Sequence, residues 1–374
     1  MGAQDVTVEA LGLAVAARVP SLLWGAPGTG KTSAIKAMAD AAGLPCETVI
    51  AAIREPSDFS GLPVIVDGSG RDGGGGRQQV VRFAPPRWAE RLADAGRGLL
   101  FLDEISTAPP AVQAALLRVV LERVVGDLEL PEGVVVVAAA NPPELAADGW
   151  DLSAPLANRF CHLDWTVDAM GFAQGIAGGW RAPVVPPLPE TWEQHLPLAR
   201  GLISAFITVR PALTLDVPAD AAAAGRGWPS PRTWEMAARL WTAADVAGAS
   251  SEARAALVSG AVGDAAGLQL LTWQLEMDLP DPEAVLADPE GMELPDRGDK
   301  AYAVLSAVAA AVAANPTVER WNAGWKVLAR AGERAPDVAA VAARVLAQCR
   351  PDGAPAPAEV KIFAPLLRDA GLLS

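Results

Sequence analysis

Cysteine and histidine are nearly missing from this 374-residue chain. Its three cysteines, Cys46, Cys161 and Cys349, are widely spaced and form no CxxC pair. A disulfide framework and a cysteine-based zinc site are thereby excluded, and such usage fits a reducing cytoplasm. Two histidines, His162 and His195, give histidine-rich metal chemistry and Ser-His-Asp hydrolysis little to work with. Lysine is scarce as well. Only five of the 30 basic residues are lysines, at 31, 36, 300, 326 and 361. Against 44 acidic residues the net charge is −14, which disfavours nucleic acid as the main partner. Met1–Ala10 has two acids and neither a basic cluster nor an apolar run, so no signal peptide is visible. The longest soft apolar stretch, Ala303–Ala314, falls short of the ~20 residues that a bilayer span needs. A cytoplasmic protein without a membrane span is expected.

What is present describes a folded chain. Apolar residues make up 51% and charged residues 20%, outside the range of disorder. At ~100–200 residues per domain, two or three domains are expected. The first 165 residues alternate β-like and helical runs. Ser21–Trp24, Cys46–Ile50, Gly98–Leu102 and Val134–Ala139 read as buried strands, and Lys31–Ala42, Arg87–Ala95 and Ala111–Arg123 as helices. That alternation predicts a parallel sheet covered on both faces. Within it, Leu62–Asp67 and Gln78–Phe83 flank a glycine run, Gly73–Gly76. This insert reads as a hairpin with a glycine tip, or as an irregular surface loop. After Thr166 the β signal fades. Helices are predicted near Leu198–Val209, Ser230–Ala247, Ser251–Leu279, Lys300–Ala314, Val318–Ala331, Pro336–Gln348 and Pro357–Ala370. The acidic, proline-bearing Pro280–Arg297 is expected to wrap the surface without forming an element.

Gly25-Ala26-Pro27-Gly28-Thr29-Gly30-Lys31-Thr32, followed by Ser33, matches GxxxxGK[ST] directly after an apolar run. Its glycines let successive N–H groups curl around a phosphate, with the positive end of the following helix aimed at the same place. Lys31 suits the β- and γ-phosphates, and the Thr32 hydroxyl suits Mg²⁺. Leu99–Asp103 is an apolar run closing on adjacent carboxylates, Asp103 and Glu104. Beside a phosphate loop, Asp103 is placed to hold Mg²⁺ with Thr32, and Glu104 to polarise the attacking water. Asn141, at the end of Val134–Ala140, is a polar group suited to orienting that water.

Taken with Ala154-Pro-Leu-Ala-Asn-Arg-Phe160, these motifs resemble an AAA+ ATPase, and within that superfamily the MoxR-like group. The run Asp103–Leu117 and Glu55-Pro-Ser-Asp-Phe-Ser-Gly61 are similar to that group's wording over about residues 5–280. The resemblance implies a P-loop αβα core at 1–165, carrying the insert at about 60–84. It also implies an all-α lid at 166–280 and a helical C-terminal extension at 281–374. It makes Asn141 the sensor 1 residue and Arg159 an arginine finger reaching a neighbour's nucleotide. Ser230-Pro231-Arg232 becomes sensor 2, with Ser230 capping a helix from which Arg232 projects toward the γ-phosphate. Thr107 departs from the arginine common at its position in MoxR relatives. The implied activity is ATP hydrolysis in a ring, a hexamer, that remodels, activates or loads metal into a client protein. A protein with a von Willebrand factor A domain is the implied partner. A glycine tip without an aromatic residue does not resemble a pore loop that grips unfolded chain. Two other readings are a nucleotide-gated scaffold, disfavoured by Glu104 with Arg159, and a DNA-directed helicase or loader, disfavoured by the charge. Trp234 with Trp241, Trp321 with Trp325, and His162 are expected to be structural.

Overall fold

The computed structural model describes residues 3–68, 78–142, 145, 150–180, 183–277, 279–369 and 371–372; the glycine tip lies outside them. In chain order the strands are β1 (Ser21–Trp24), β2 (Cys46–Ile50), β3 (Leu62–Gly68), β4 (Gln78–Ala84), β5 (Arg97–Asp103), β6 (Val124–Val125), β7 (Leu128–Glu129), β8 (Gly133–Ala140) and β9 (Cys161–Asp164). The first helices are α1 (Ala3–Ala16), α2 (Lys31–Ala41), α3 (Ser57–Ser60), α4 (Arg87–Ala95), α5 (Pro110–Glu122), α6 (Ala154–Ala157) and α7 (Ala169–Gly178). They are followed by α8 (Leu196–Val209), α9 (Ala221–Ala224), α10 (Pro231–Val246), α11 (Ser251–Val262) and α12 (Asp264–Met277). The last are α13 (Pro282–Ala287), α14 (Gly298–Ala314), α15 (Val318–Arg334), α16 (Pro336–Gln348) and α17 (Val360–Asp369).

The residues pack into two units, Met1–Leu188 with Val217–Asp264, and Pro189–Asp216 with Ala265–Ser374. In the first, a five-stranded parallel sheet runs β2-β5-β8-β1-β9 between helices. β5 and β8 are apolar and almost wholly buried, as strands covered on both faces must be. The register pairs Trp24 with Ala140 and Leu102 with Ala138. The carboxyl ends of β1, β8 and β5 therefore lie side by side, where ligands of such sheets bind. β3 and β4 pair antiparallel from Leu62↔Ala84 to Gly68↔Gln78, so the insert forms a hairpin.

Three findings differ from expectation. Cys161–Asp164 is a fifth strand, paired with β1. Its outward-facing His162 carbonyl lies against Gly260 of α11, where a Cβ would fall 2.3 Å from that oxygen. Thr7 Oγ1 of α1 donates to the other outward carbonyl, Asp164 O, at 2.9 Å. The expected single helix Ser251–Leu279 breaks at Gly263, whose φ is +85° and whose Cβ would fall 2.6 Å from Gly227 O. Pro280–Arg297 does contain a helix, α13, because Asp281 caps it and Val285 and Leu286 are buried.

The second unit is all helix. Trp321 and Trp325 of α15 meet edge to face at 6.0 Å in its core, and Trp321 Nε1 donates to Leu346 O at 2.7 Å. Trp234 and Trp241 are likewise buried in the first unit.

Candidate nucleotide site

β1 delivers the chain into the glycine loop. Gly28 and Gly30 hold φ of +77° and +89°, a region that favours glycine. At Gly25 a Cβ would meet Trp165 O at 2.6 Å, so the loop begins in direct backbone contact with the end of β9. α2 starts at Lys31 without a side-chain cap, which leaves its first-turn N–H groups available to an anion. Pro27–Ser33, Asp103, Glu104 and Asn141 line a cavity of about 320 Å³. The structure thus brings together residues as far apart in sequence as Pro27 and Asn141 in candidate phosphate, metal and water roles.

Inside it, Lys31 Nζ donates to Gly25 O (2.5 Å), Ala26 O (3.0 Å) and Asn141 Oδ1 (3.2 Å). Gly25 and Ala26 therefore act through their carbonyls and do not line the cavity. Burial pushes the Lys31 pKa down from its ordinary value, and the Asp103 carboxylate opposes that shift. Thr32 Oγ1 donates to Asp103 Oδ2 at 2.9 Å. Glu104 is exposed and left-handed, at φ 55° and ψ 40°. Its N–H donates to Asp103 Oδ1 (3.0 Å), and its carbonyl accepts from Thr107 Oγ1 (2.9 Å). Buried Ser106 exchanges two hydrogen bonds with the backbone of Asn141, at 3.2 and 3.3 Å. Sequence reasoning passed over Ser106, since a serine beside an acidic pair carries no signal of its own.

Arg159 and Arg232 are not among the residues lining this cavity. They neighbour each other instead. Asn158 Oδ1 accepts from Ser230 Oγ at 2.8 Å, and Asn158 Nδ2 donates to Trp228 O at 3.1 Å. Ser230 and Thr233 form a capping box at the start of α10, as its sequence predicts. Burial, with the Arg232 charge adding to it, holds the Arg159 pKa below its ordinary value. Arg159 donates to Pro155 O and leaves its buried Nε unpartnered.

A second cavity of about 770 Å³ shares Gly28, Thr29, Gly30 and Ser33 with the first. Its walls include Val8, Trp165, Phe172 and Trp180, with the Gln4 amide among the few polar groups. Trp165 Nε1 donates to Thr29 O at 3.0 Å. The Trp180 ring lies on Gly175 of α7, where a Cβ would come within 2.4 Å of it. Sequence reasoning missed this wall. α7 is glycine-rich and lacks a clear helical stripe, although three aromatics within sixteen residues of a 5% aromatic chain were a usable signal.

Residues 21–160 match the family model described as "ATPase family associated with various cellular activities (AAA)". This part of the chain is an AAA domain. No curated protein sequence matches the chain. Among solved structures, the "putative ATPase" of Cytophaga hutchinsonii is 17% identical with a TM-score of 0.40, covering 68% of this chain and 80% of that one. A full-length MCM homologue of Methanopyrus kandleri is also 17% identical, with a TM-score of 0.36, covering 71% and 54%. The AAA domain accounts for the sheet, the glycine loop and the carboxylates. Among the described residues, no helix is long and apolar enough to cross a membrane.

Proposed function

We propose that the AAA domain binds and hydrolyses ATP. One observation carries this reading: a polar, lysine-bearing cavity and an apolar, aromatic cavity open on the same glycine loop. Such a pair suits a triphosphate joined to a base. Gly25–Ser33 cradle the phosphates, and Lys31 turns from the carbonyls of its own loop to the β- and γ-phosphate oxygens. Trp165, Phe172 and Trp180 receive the base. The Thr32 hydroxyl and Asp103 carboxylate, 2.9 Å apart, are hard oxygen donors of the kind that holds Mg²⁺. When bound there, Mg²⁺ neutralises phosphate charge. Glu104 accepts a proton from water as the water oxygen attacks the γ-phosphorus, and Asn141 orients that water. The bond to the bridging oxygen breaks, leaving ADP and phosphate.

Arg159 completes the site of a neighbouring copy, so a ring, a hexamer, is part of the activity. Its placement away from the cavity of its own chain supports that assignment. Arg232 serves as sensor 2, coupling γ-phosphate contact to movement of the helical lid. The mechanical output is directed at a protein client in the manner of MoxR-like relatives, with a von Willebrand factor A domain protein as the partner. It remodels, activates or loads metal into that client in the cytoplasm.

Nucleotide binding and steady-state ATPase assays test this across protein concentrations. Lys31→Ala is expected to lose binding, while Glu104→Gln keeps binding and loses turnover by at least about a hundredfold. Near-normal turnover in Glu104→Gln would remove Glu104 as the base. Negligible wild-type activity at every concentration would remove the enzyme reading itself.

A further inference from the structure

The turn bearing Arg159 is held at three buried points. Asn158 is fixed by Ser230 and Trp228, as described, and is 2% exposed. Phe160 is fully buried in the core of the AAA domain. The third point is the carbonyl of Ala157, the last residue of α6, which His162 Nε2 contacts at 2.9 Å. The other ring nitrogen, Nδ1, accepts from Trp24 Nε1 at 2.8 Å. Because Nδ1 accepts, the proton sits on Nε2 and is donated to Ala157 O. The Trp24 and His162 rings lie with their planes nearly parallel, 13° apart, and their centroids 6.2 Å apart. Trp24 is the last residue before Gly25 and is itself pinned from the other side. The Arg226 guanidinium lies 4.3 Å above its ring and pairs with Asp164 at 2.9 Å.

We propose that His162 is a positioning residue for Arg159, tying the strand end that enters the phosphate loop to the turn that presents this arginine. One imidazole spans two elements, β1 and α6, that are more than 130 residues apart in sequence. An apolar side chain of similar size would fill its place but break both bonds and strand the Trp24 N–H. Movement of the loop on binding phosphate is thereby passed to the arginine offered to the next subunit. The inference rests on Arg159 being that trans-acting arginine.

The test compares full-length wild type, Arg159→Ala, His162→Phe and the double variant by steady-state ATPase. His162→Phe is expected to lower kcat at least about tenfold while KM for ATP stays within about twofold. In the Arg159→Ala background the same change should add less than about twofold, since residues acting through one group are not additive. His162→Gln, which can still donate to Ala157 O, should recover most of kcat. A loss carried by KM, a loss that multiplies with that of Arg159→Ala, or full activity in folded His162→Phe overturns the proposal. Should His162→Phe not fold, Trp24→Phe removes the other bond and is read by the same criteria. Full activity in Arg159→Ala would remove the underlying assignment of the arginine. Impaired Arg159→Ala beside normal His162→Phe would remove only the role of His162.

Discussion

Both ring nitrogens of His162 are taken, and burial pushes its pKa down to about 4 from 6.5. The sign of the resulting pH dependence follows. Between about pH 6.5 and 4 the unfolded chain binds a proton that the folded chain refuses. Stability from this group is complete above pH 6.5 and falls by about 1.4 kcal/mol per pH unit below it, levelling near pH 4. Urea midpoints measured from pH 7 to 4 should show that slope in wild type and a shallower one in His162→Gln. A second prediction concerns the base cavity. Stacking of a base on an aromatic ring is worth about 1–3 kcal/mol, so Trp180→Ala should weaken ATP affinity about tenfold and leave kcat nearly unchanged. Calorimetric titration with a slowly hydrolysed ATP analogue, beside ATPase assays, checks both halves. At this scale the glycine loop with Lys31 and Thr32, and the Asp103–Glu104 pair, which the fold gathers around one cavity, were legible in sequence because the motif fixes their spacing. Ser106, Trp165 and His162 were not, since each acts through a contact made only in three dimensions.

Among the elements, strands with uninterrupted apolar runs were read directly. β9 was not, because Cys161-His162-Leu163-Asp164 is four residues long and half polar. It is a strand because β1 needs a partner on that side. The helix break at Gly263 was likewise invisible to periodicity, since it arises from the close approach of Gly227. Two substitutions test these elements. Ser230→Ala removes the cap of α10 and the bond to Asn158, and should lower stability by about 1–3 kcal/mol. Differential scanning calorimetry reads this as a drop in Tm. Gly260→Ala forces a Cβ to within 2.3 Å of His162 O, so β9 or α11 must shift. Its urea midpoint should fall by more than that of an exposed alanine replacement such as Ser251→Ala.

For the molecule as a whole, the scarcity of lysine acquires a meaning. In a chain of net charge −14, one of five lysines is buried at the glycine loop, which suits a small polyanion held in a pocket better than a basic surface. The ring proposal makes its own prediction. Mixing Arg159→Ala with Lys31→Ala subunits should restore ATPase activity well above either alone, since each supplies what the other lacks. Activity that stays at the level of the separate variants in verified mixed assemblies would count against a shared site. The parallel sheet was legible from alternating patterns, whereas the membership of its last strand was not.

That last strand has a consequence for behaviour in a crowded solution. A sheet edge left open is a template on which another chain can add a strand. At β9 the two outward carbonyls are taken out of reach, one by the Thr7 hydroxyl and the other by the close-packed backbone at Gly260. Copies of this protein are therefore barred from joining sheet to sheet at that end.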